Sequence, residues 1–323
     1  MKIDIHSHIV ERHYIDLLKD LLGLAVQCPA PGHTLLRKDG HTVAWYRDEM
    51  FDPEFRLREM DRKGIDIRVL SLSTPNVYCW PRDAQIKMAR LMNDATMRLC
   101  GAHPDRFAGL ASLPLIDIDA SLTELNRTRD ELKMVGVMIG SNVAGLPMND
   151  PKFEPLWCRI NELKLPVFEH PMFPAHIGDM EEFELPLRVG FVFDTTLAVT
   201  RMIYSGVFER YPDFPYIMAH TGGTLLMVIQ RLDNGYYLFP DCREHITKPP
   251  SHFAKQLYYD TASFFGPALR MAYDYVGADH LLFGTDDPFI NSDTKHVENM
   301  AFEASDEAKI LGANAARLLN LGT

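Results

Sequence analysis

The sequence lacks any long apolar run, and that absence excludes an important class of protein. No apolar stretch approaches the roughly 18 residues that suggest a membrane-spanning helix. The amino terminus also lacks a basic segment followed by an apolar one, so we expect no secretory signal peptide. With 46% hydrophobic residues in a chain of 323, there is still ample material for a large buried core. We therefore expect no membrane partner.

Cysteine is scarce and never occurs as CxxC. The five cysteines are Cys28, Cys79, Cys100, Cys158 and Cys242. This number and spacing exclude a thiolate metal site and favour free thiols in a reducing cytoplasm.

Basic charge is also in deficit, with 33 Lys and Arg against 44 Asp and Glu and a net charge of −11. That balance argues against a nucleic-acid partner or an anionic membrane surface. A small anionic substrate stays compatible with it, because a site can carry its own arginines and a metal. No glycine-rich phosphate loop is present, so we expect no organic cofactor.

Short apolar runs alternate with amphipathic stretches along the whole chain. The runs predict eight strands, at 2–5, 65–72, 107–113, 135–141, 165–169, 215–219, 257–261 and 280–284. Helices are predicted at 53–63, 84–102, 119–133, 152–164, 197–210, 223–238, 265–276 and 305–320. Most of the runs are rich in Val, Ile, Leu and Phe without strict alternation, which is typical of parallel strands covered on both faces. Eight such units predict an α/β fold, a (β/α)8 TIM barrel formed as one domain by residues 1–323.

Two segments interrupt this alternation. Residues 9–52 form a small insertion after the first strand, which we expect to contain a β-hairpin and to lie near the active site. Residues 171–196 form a long loop after the fifth strand, with Phe173, Pro174, Phe183 and Phe191. Long loops at the carboxyl end of barrel strands usually shape the substrate pocket.

Four histidines and an aspartate follow predicted strands. They are His6 and His8 in "IDIHSH", His170 in "FEHP", His220 in "MAHTGG" and Asp286 in "FGTDDP". Residues i and i+2 of a strand face the same side, so His6 and His8 can hold one ion together. All five would lie at the carboxyl ends of strands, where barrel enzymes perform chemistry. Imidazoles and a carboxylate gathered there predict a metal site that activates water.

Each residue alone also has a purely structural explanation. His170 could be a hydrogen-bonded histidine before a proline turn, and His220 a residue at a helix start or an anion site. Asp286 or Asp287 could cap a turn. Their joint placement on one face of the barrel favours the metal site over a structural barrel.

Several sequence blocks match one known family in order. They are "DPEFRLREMDRKGID", "RFAGLASLPL", "HPM", "AHTGG", "QRLDNG" and "LLFGTDDPF". With the residues above, they resemble the decarboxylase branch of the amidohydrolase superfamily, the group like aminocarboxymuconate-semialdehyde decarboxylase. The resemblance covers nearly the whole chain.

The resemblance implies one divalent metal ion, zinc in most members, with manganese as the alternative. It assigns the ligands to His6, His8, His170 and Asp286, and makes His220 the acid/base group. It also implies a metal-dependent, non-oxidative decarboxylase of an aromatic or muconate-type acid. Some members carry Glu in place of the first histidine, so His6 favours the muconate-type subgroup.

The resemblance further assigns substrate-binding roles to Arg47, Arg231 and Phe289. An arginine can hold a carboxylate through two parallel hydrogen bonds, and Phe289 would pack on a planar substrate. Arg231 would reach the neighbouring subunit's pocket, which implies a homodimer. Taken without the resemblance, both arginines could be solvated or structural, and Phe289 could be ordinary core.

Three positions depart from the family pattern. Phe239 stands where the prototype has a further arginine, Met172 replaces a tryptophan, and Asp287 replaces a tyrosine. We expect these changes to make the pocket less cationic and the substrate poorer in carboxylates. Two other functions stay open. The same metal site could hydrolyse a C–C or lactone bond or hydrate a conjugated acid, and a barrel without catalysis could bind a small acid.

Overall fold

The computed structural model describes residues 1–174, 178 and 180–322, so part of the loop predicted at 171–196 lies outside the described residues. The strands are β1 (Ile3–Ile9), β2 (Ala25–Ala30), β3 (His33–Lys38), β4 (His41–Arg47), β5 (Ile67–Leu72), β6 (Phe107–Ser112), β7 (Gly136–Gly140), β8 (Asn142–Val143), β9 (Leu146–Pro147), β10 (Val167–His170), β11 (Tyr216–Met218), β12 (Tyr258–Asp260) and β13 (Leu281–Leu282).

The α-helices are α1 (Arg12–Leu22), α2 (Pro53–Lys63), α3 (Arg82–Ala102), α4 (Ile118–Asp130), α5 (Glu154–Leu163), α6 (Phe191–Tyr204), α7 (Val207–Arg210), α8 (Leu225–Leu238), α9 (Pro250–Ala254), α10 (Gly266–Val276), α11 (Lys295–Glu298), α12 (Ala304–Ala308) and α13 (Asn314–Leu319). Two π-helical turns, Pro186–Gly190 and Lys309–Ala313, lead directly into α6 and α13. Among the described residues, no helix is both long and apolar enough to cross a membrane.

Eight parallel strands form the central sheet, in the order β1-β5-β6-β7-β10-β11-β12-β13. Two backbone hydrogen bonds join its two ends. The N–H of Ile5 donates to the carbonyl of Phe283 at 2.9 Å, and the N–H of His8 donates to that of Asp287 at 2.7 Å. The sheet therefore curves round to meet its own first strand, and the predicted (β/α)8 barrel is confirmed.

The sequence explains why the elements begin and end where they do. Every residue of β1, β5, β6, β7, β10 and β11 is buried, as strands covered on both faces require. Helix α2 starts at an N-cap, because the carboxylate of Asp52 accepts from the N–H of Glu54 at 3.0 Å and Pro53 follows. It ends at Gly64, which takes a left-handed φ of 65°.

The insertion at 9–52 is more structured than the sequence indicated. It holds the predicted antiparallel hairpin as part of a three-stranded sheet in the order β2-β3-β4. It also holds α1, which the sequence analysis missed. Tyr14 and Leu18 of this helix are buried, and the helix ends at Gly23 with a φ of 60°.

Several predicted boundaries were wrong. The eighth strand is only Leu281–Leu282, and the carbonyl of the next residue, Phe283, accepts from the N–H of Ile5 in β1. The last helix is interrupted by the π-helical turn at Lys309–Ala313. The helix expected at 197–210 begins earlier, at Phe191, and Gly206 separates α6 from α7 with a φ of 74°.

Candidate metal centre

The predicted ligands lie together at one end of the barrel. His6, His170, His220 and Asp286 each offer one ligand atom, and these atoms all lie within 4.8 Å of one another. His8 lies beside them, with its Nε2 3.3 Å from Oδ1 of Asp286. The sequence therefore identified a real cluster of side chains, formed by residues far apart in the chain.

The backbone at the cluster is unusual in two places. His220 and Asp286 have φ values of 53° and 56°, in the left-handed region, which costs non-glycine residues on the order of 1 kcal/mol or more. Neighbouring hydrogen bonds hold both conformations. The N–H of Thr221 donates to Asp260 at 2.8 Å, and the N–H of Thr285 donates to Asp4 at 3.0 Å. Such conformations persist where the surroundings impose them, often at functional sites.

Each of the three strand-borne imidazoles is oriented through its Nδ1. That of His6 lies 2.5 Å from Oδ2 of Asp260, that of His8 lies 3.0 Å from the hydroxyl of Ser71, and that of His170 lies 3.0 Å from its neighbour's carbonyl. The opposite nitrogens, Nε2 of His6 and of His8, are buried and form no hydrogen bond with any described residue.

Buried polar atoms almost always have partners, so these two nitrogens indicate a ligand. Metal-binding histidines characteristically anchor one ring nitrogen and leave the other for the ion. Imidazoles with one carboxylate suit a divalent transition metal. The residues present therefore fit the ion that the sequence predicted.

The carboxylates and imidazoles of the cluster shift one another's pKa values. Burial opposes charge on His6, but the carboxylates of Asp286 and Asp260 outweigh it and raise its pKa to about 10. Burial likewise opposes ionisation of Asp286, but the histidines, His6 above all, hold its pKa well below the usual range. Burial lowers the pKa of His8 and of His170. The last two imidazoles are therefore neutral at physiological pH, as ligands must be.

Asp260, at the end of β12, is a site residue that the sequence analysis missed. Its side chain is fully buried and contacts the Nδ1 of His6, while also accepting from the backbone of Thr221 and Ala262. It thus connects the first, sixth and seventh strands of the barrel. An acidic residue at a strand end, in "YYDTAS", was the available signal.

A cavity of about 370 Å³ opens onto the cluster. The insertion contributes Val43 and Trp45 to its walls, and Phe191 and Phe289 lie elsewhere around it. The rings of Trp45 and Phe289 are 5.4 Å apart, and that of Phe289 is 5.5 Å from His8. A planar apolar molecule in this cavity would therefore pack against aromatic side chains with one end at the cluster.

The structure does not bring the two predicted arginines into this cavity. Arg47 ends β4, its side chain is 41% exposed, and its Nε lies 3.4 Å from Glu49. Arg231 is exposed on the surface of α8. Their substrate-binding roles stay predictions, as does that of Phe289, although Phe289 does line the cavity.

The expectation that Asp287 adds a negative charge to the pocket was wrong. Its carboxylate turns away from the cavity and lies 2.9 Å from Arg56 and 2.8 Å from Arg68. Both arginines are buried, so the charge of Asp287 is balanced behind the site. Met172 is also buried, and Phe239 is exposed at the end of α8.

Comparison with known proteins agrees with this geometry. The family model described as "Amidohydrolase" matches residues 3–321. The 2-amino-3-carboxymuconate-6-semialdehyde decarboxylase of Dictyostelium discoideum is 30% identical, over 99% of this chain and 92% of its own. The gamma-resorcylate decarboxylase of Rhizobium sp. (strain MTP-10005) is 31% identical, over 82% of this chain and 86% of its own.

A solved structure adds a metal to the comparison. The dihydroxybenzoic acid decarboxylase of Polaromonas sp. JS666, with bound manganese and the inhibitor 2-nitroresorcinol, superposes with a TM-score of 0.82. It is 25% identical and covers 100% of this chain and 97% of its own. The superposition therefore covers the whole barrel.

Proposed function

This chain belongs to the amidohydrolase family, and we propose that it is a metal-dependent, non-oxidative decarboxylase of an aromatic or unsaturated carboxylic acid. The observation that carries the proposal is the histidine–aspartate cluster at the end of an aromatic-walled cavity. Relatives named as decarboxylases over nearly the whole chain support it. The enzyme is accordingly a carbon–carbon lyase.

A divalent ion would be held by His6, His8, His170 and Asp286. When bound, it would act as a Lewis acid towards oxygen atoms of the substrate. We propose zinc, because imidazole-rich sites suit it, with manganese as the alternative that a related structure contains. Metal analysis of the protein as purified, followed by reloading of the stripped protein with each ion, would identify the ion that supports activity.

Other side chains would bind the substrate and transfer the proton. Phe289 and Trp45 would hold the planar part of the substrate and exclude water. His220, whose Nε2 lies 3.8 Å from Oδ2 of Asp286, would deliver a proton to the carbon that bears the carboxylate. That carbon becomes tetrahedral, its bond to the carboxylate breaks, and CO2 leaves while the electron pair returns to the conjugated system.

The direct test of the reaction is CO2 release. Protein loaded with zinc or manganese would be incubated with aromatic and muconate-type carboxylic acids, and released CO2 would be measured. We expect release from at least one member, with loss of one carbon and no added water in the product. Incorporation of water without CO2 would instead establish a hydrolase or hydratase with the same site.

The role of His220 has a separate test. The variant His220→Ala should keep its bound metal and lose about 100- to 10,000-fold in kcat, since general acid catalysis contributes about that much. Metal content and kcat would be measured on the same sample. A near-normal rate in the metal-loaded variant would exclude the proton-transfer role.

We also propose a homodimer in the cytoplasm. Exposed apolar side chains concentrate on α6 and α8, which are neighbours, and on the start of α10. They are Phe193, Leu197, Met227, Tyr237, Leu238, Phe239 and Phe265. Arg231 lies on the same helix as Met227 and Leu238, so pairing through this face would bury it against a second copy. The five free thiols support a reducing compartment.

Shared pockets can be tested by mixing His220→Ala and Arg231→Ala proteins, each of which we expect to be inactive alone. Half of randomly exchanged dimers are mixed, and each mixed dimer would have one intact pocket. About a quarter of the wild-type activity should therefore return. No recovery after verified subunit exchange would place Arg231 outside the partner's pocket.

A further inference from the structure

The segment after the fifth strand that leads into α6 forms one wall of the cavity. Glu184, Leu187, Arg188 and Phe191 of this segment all line it. The loop that carries them was predicted to shape the pocket, but Arg188 was not recognised as a candidate.

Phe191 and Arg188 lie at different depths along this wall. The ring of Phe191 is 6.3 Å from that of His170, so this end of the wall is beside the candidate metal ligands. Arg188 precedes Phe191 by three residues, and its side chain is exposed. Because Arg188 lines the cavity and is exposed, it lies towards the mouth of the cavity.

Glu184 does not neutralise this arginine, because other groups already bind its carboxylate. Its Oε1 accepts from Arg37 at 2.8 Å, and its Oε2 accepts from the N–H of Thr42 at 2.9 Å. Asp286 is engaged by the histidines at the opposite end. Among the charged side chains of described residues that line the cavity, Arg188 is thus the cation placed to serve a ligand.

We propose that Arg188 is a specificity-determining residue that binds a second carboxylate of the substrate. This inference rests on the proposed decarboxylase function. The reacting carboxylate would lie at the metal end, the conjugated part against the side chains of Trp45 and Phe289, and the second carboxylate against the guanidinium, which can hold it through two parallel hydrogen bonds. The substrate class would then be planar dicarboxylic acids, richer in carboxylate than the sequence alone indicated.

The proposal can be tested by binding, without turnover. Calorimetry on metal-loaded protein would compare benzoate, isophthalate and terephthalate at low ionic strength. In the wild type, we expect at least one of the two dicarboxylates to bind about tenfold more tightly than benzoate. The variant Arg188→Gln should bring that ratio close to one, and Arg188→Lys should keep part of it. The control Arg98→Gln removes the same charge from an exposed position on α3 and should keep the ratio.

Several outcomes would overturn the assignment. One is a wild type that binds neither dicarboxylate more tightly than benzoate. Another is a preference that survives Arg188→Gln but disappears in Arg47→Gln or Arg231→Gln, which would return the role to the arginines implied by the family. A third is loss of the preference in Arg98→Gln, which would make it an effect of overall charge. Absence of CO2 release with an intact, Arg188-dependent preference would instead contradict decarboxylation alone.

Discussion

Two clusters of charged side chains lie next to each other in the barrel, and they differ in the groups that face their carboxylates, which are imidazoles in one cluster and guanidinium groups in the other. In the histidine cluster, Nε2 of His6 and Nε2 of His8 lie 3.4 and 3.3 Å from Oδ1 of Asp286. In the second cluster, which we call the arginine cluster, Arg56 and Arg68 face Asp4 and Asp287 at 2.8–3.4 Å. The histidine cluster could therefore hold a metal cation, whereas the two arginines supply the positive charge in the arginine cluster.

Asp286 and Asp287 show the difference most directly, since they are adjacent in the chain. Asp286 faces the histidines, and Asp287 faces the arginines. Burial would raise the pKa of Asp287, but Arg68 and Arg56 outweigh it and lower that pKa. One carboxylate is therefore available to an ion, and the other is part of the structure that holds the ligands in place. The carbonyl of Asp287 also accepts from the N–H of His8 at 2.7 Å.

The largest effect is expected from removing the negative charge of Asp286 in the histidine cluster. Asp286→Asn should lose its metal and about 1,000-fold or more in kcat, because a ligand and the charge that attracts the ion both disappear. Metal content and kcat would be measured after loading with excess zinc or manganese. The neighbouring Asp287→Asn is the matched control and should retain metal. Equal metal loss in both variants would show that the two carboxylates do not have separate roles.

A change in the arginine cluster should have a smaller effect on metal binding but a large effect on stability. Arg68→Met leaves Asp4 and Asp287 buried with less positive charge nearby. It should lower the free energy of unfolding by about 3–5 kcal/mol, as breaking a buried pair does. Urea denaturation of metal-free protein would measure it. Adding Asp4→Asn restores the balance of charge and should recover part of the loss. An unchanged stability in Arg68→Met would refute the structural role of the arginine cluster.

The sequence predicted that the histidines meet, because each of them lies in or just after a barrel strand. Alternation in a strand places His6 and His8 on one side, and parallel strands in a barrel bring their carboxyl ends together. The orientation of Asp286 and Asp287 was beyond such reasoning. Asp286 lies after the last strand with a φ of 56°, where alternation no longer applies, and the arginines that attract Asp287 come from α2 and β5.

The same limit explains the other differences between expectation and structure. The sequence does not show that Asp260 contacts His6, because that contact depends on the position of β12 next to β11 in the folded barrel. Arg47 and Arg188 are both arginines in segments expected near the pocket, and the sequence does not show which of them lines it. That depends on how the insertion and the loop after β10 pack against each other, which is tertiary information.

An ion pair joins the insertion to the loop after β10, and breaking this pair should have the smallest of the predicted effects. Glu184 of the loop accepts from Arg37 of β3 at 2.8 Å, with side-chain exposures of 27% and 30%. Burial would raise the pKa of Glu184, but the backbone and hydroxyl of Thr42 together with Arg37 lower it. The ionised carboxylate therefore stabilises the fold above its ordinary pKa of 4.5, and this contribution is lost as the pH falls through the lower value in the folded protein.

Glu184→Gln should accordingly lower the free energy of unfolding at neutral pH by up to about 1 kcal/mol, the usual range for a partly exposed pair. The difference from wild type should shrink as the pH is lowered below 4.5. Urea denaturation at a series of pH values would measure both. Glu182→Gln, at an exposed position in the same loop, is the matched control and should show neither effect. A loss of stability that does not vary with pH would mean that Glu184 acts through packing rather than charge. The ion pair between the segments that form the cavity mouth would then be incidental, unlike the buried pairs of the arginine cluster.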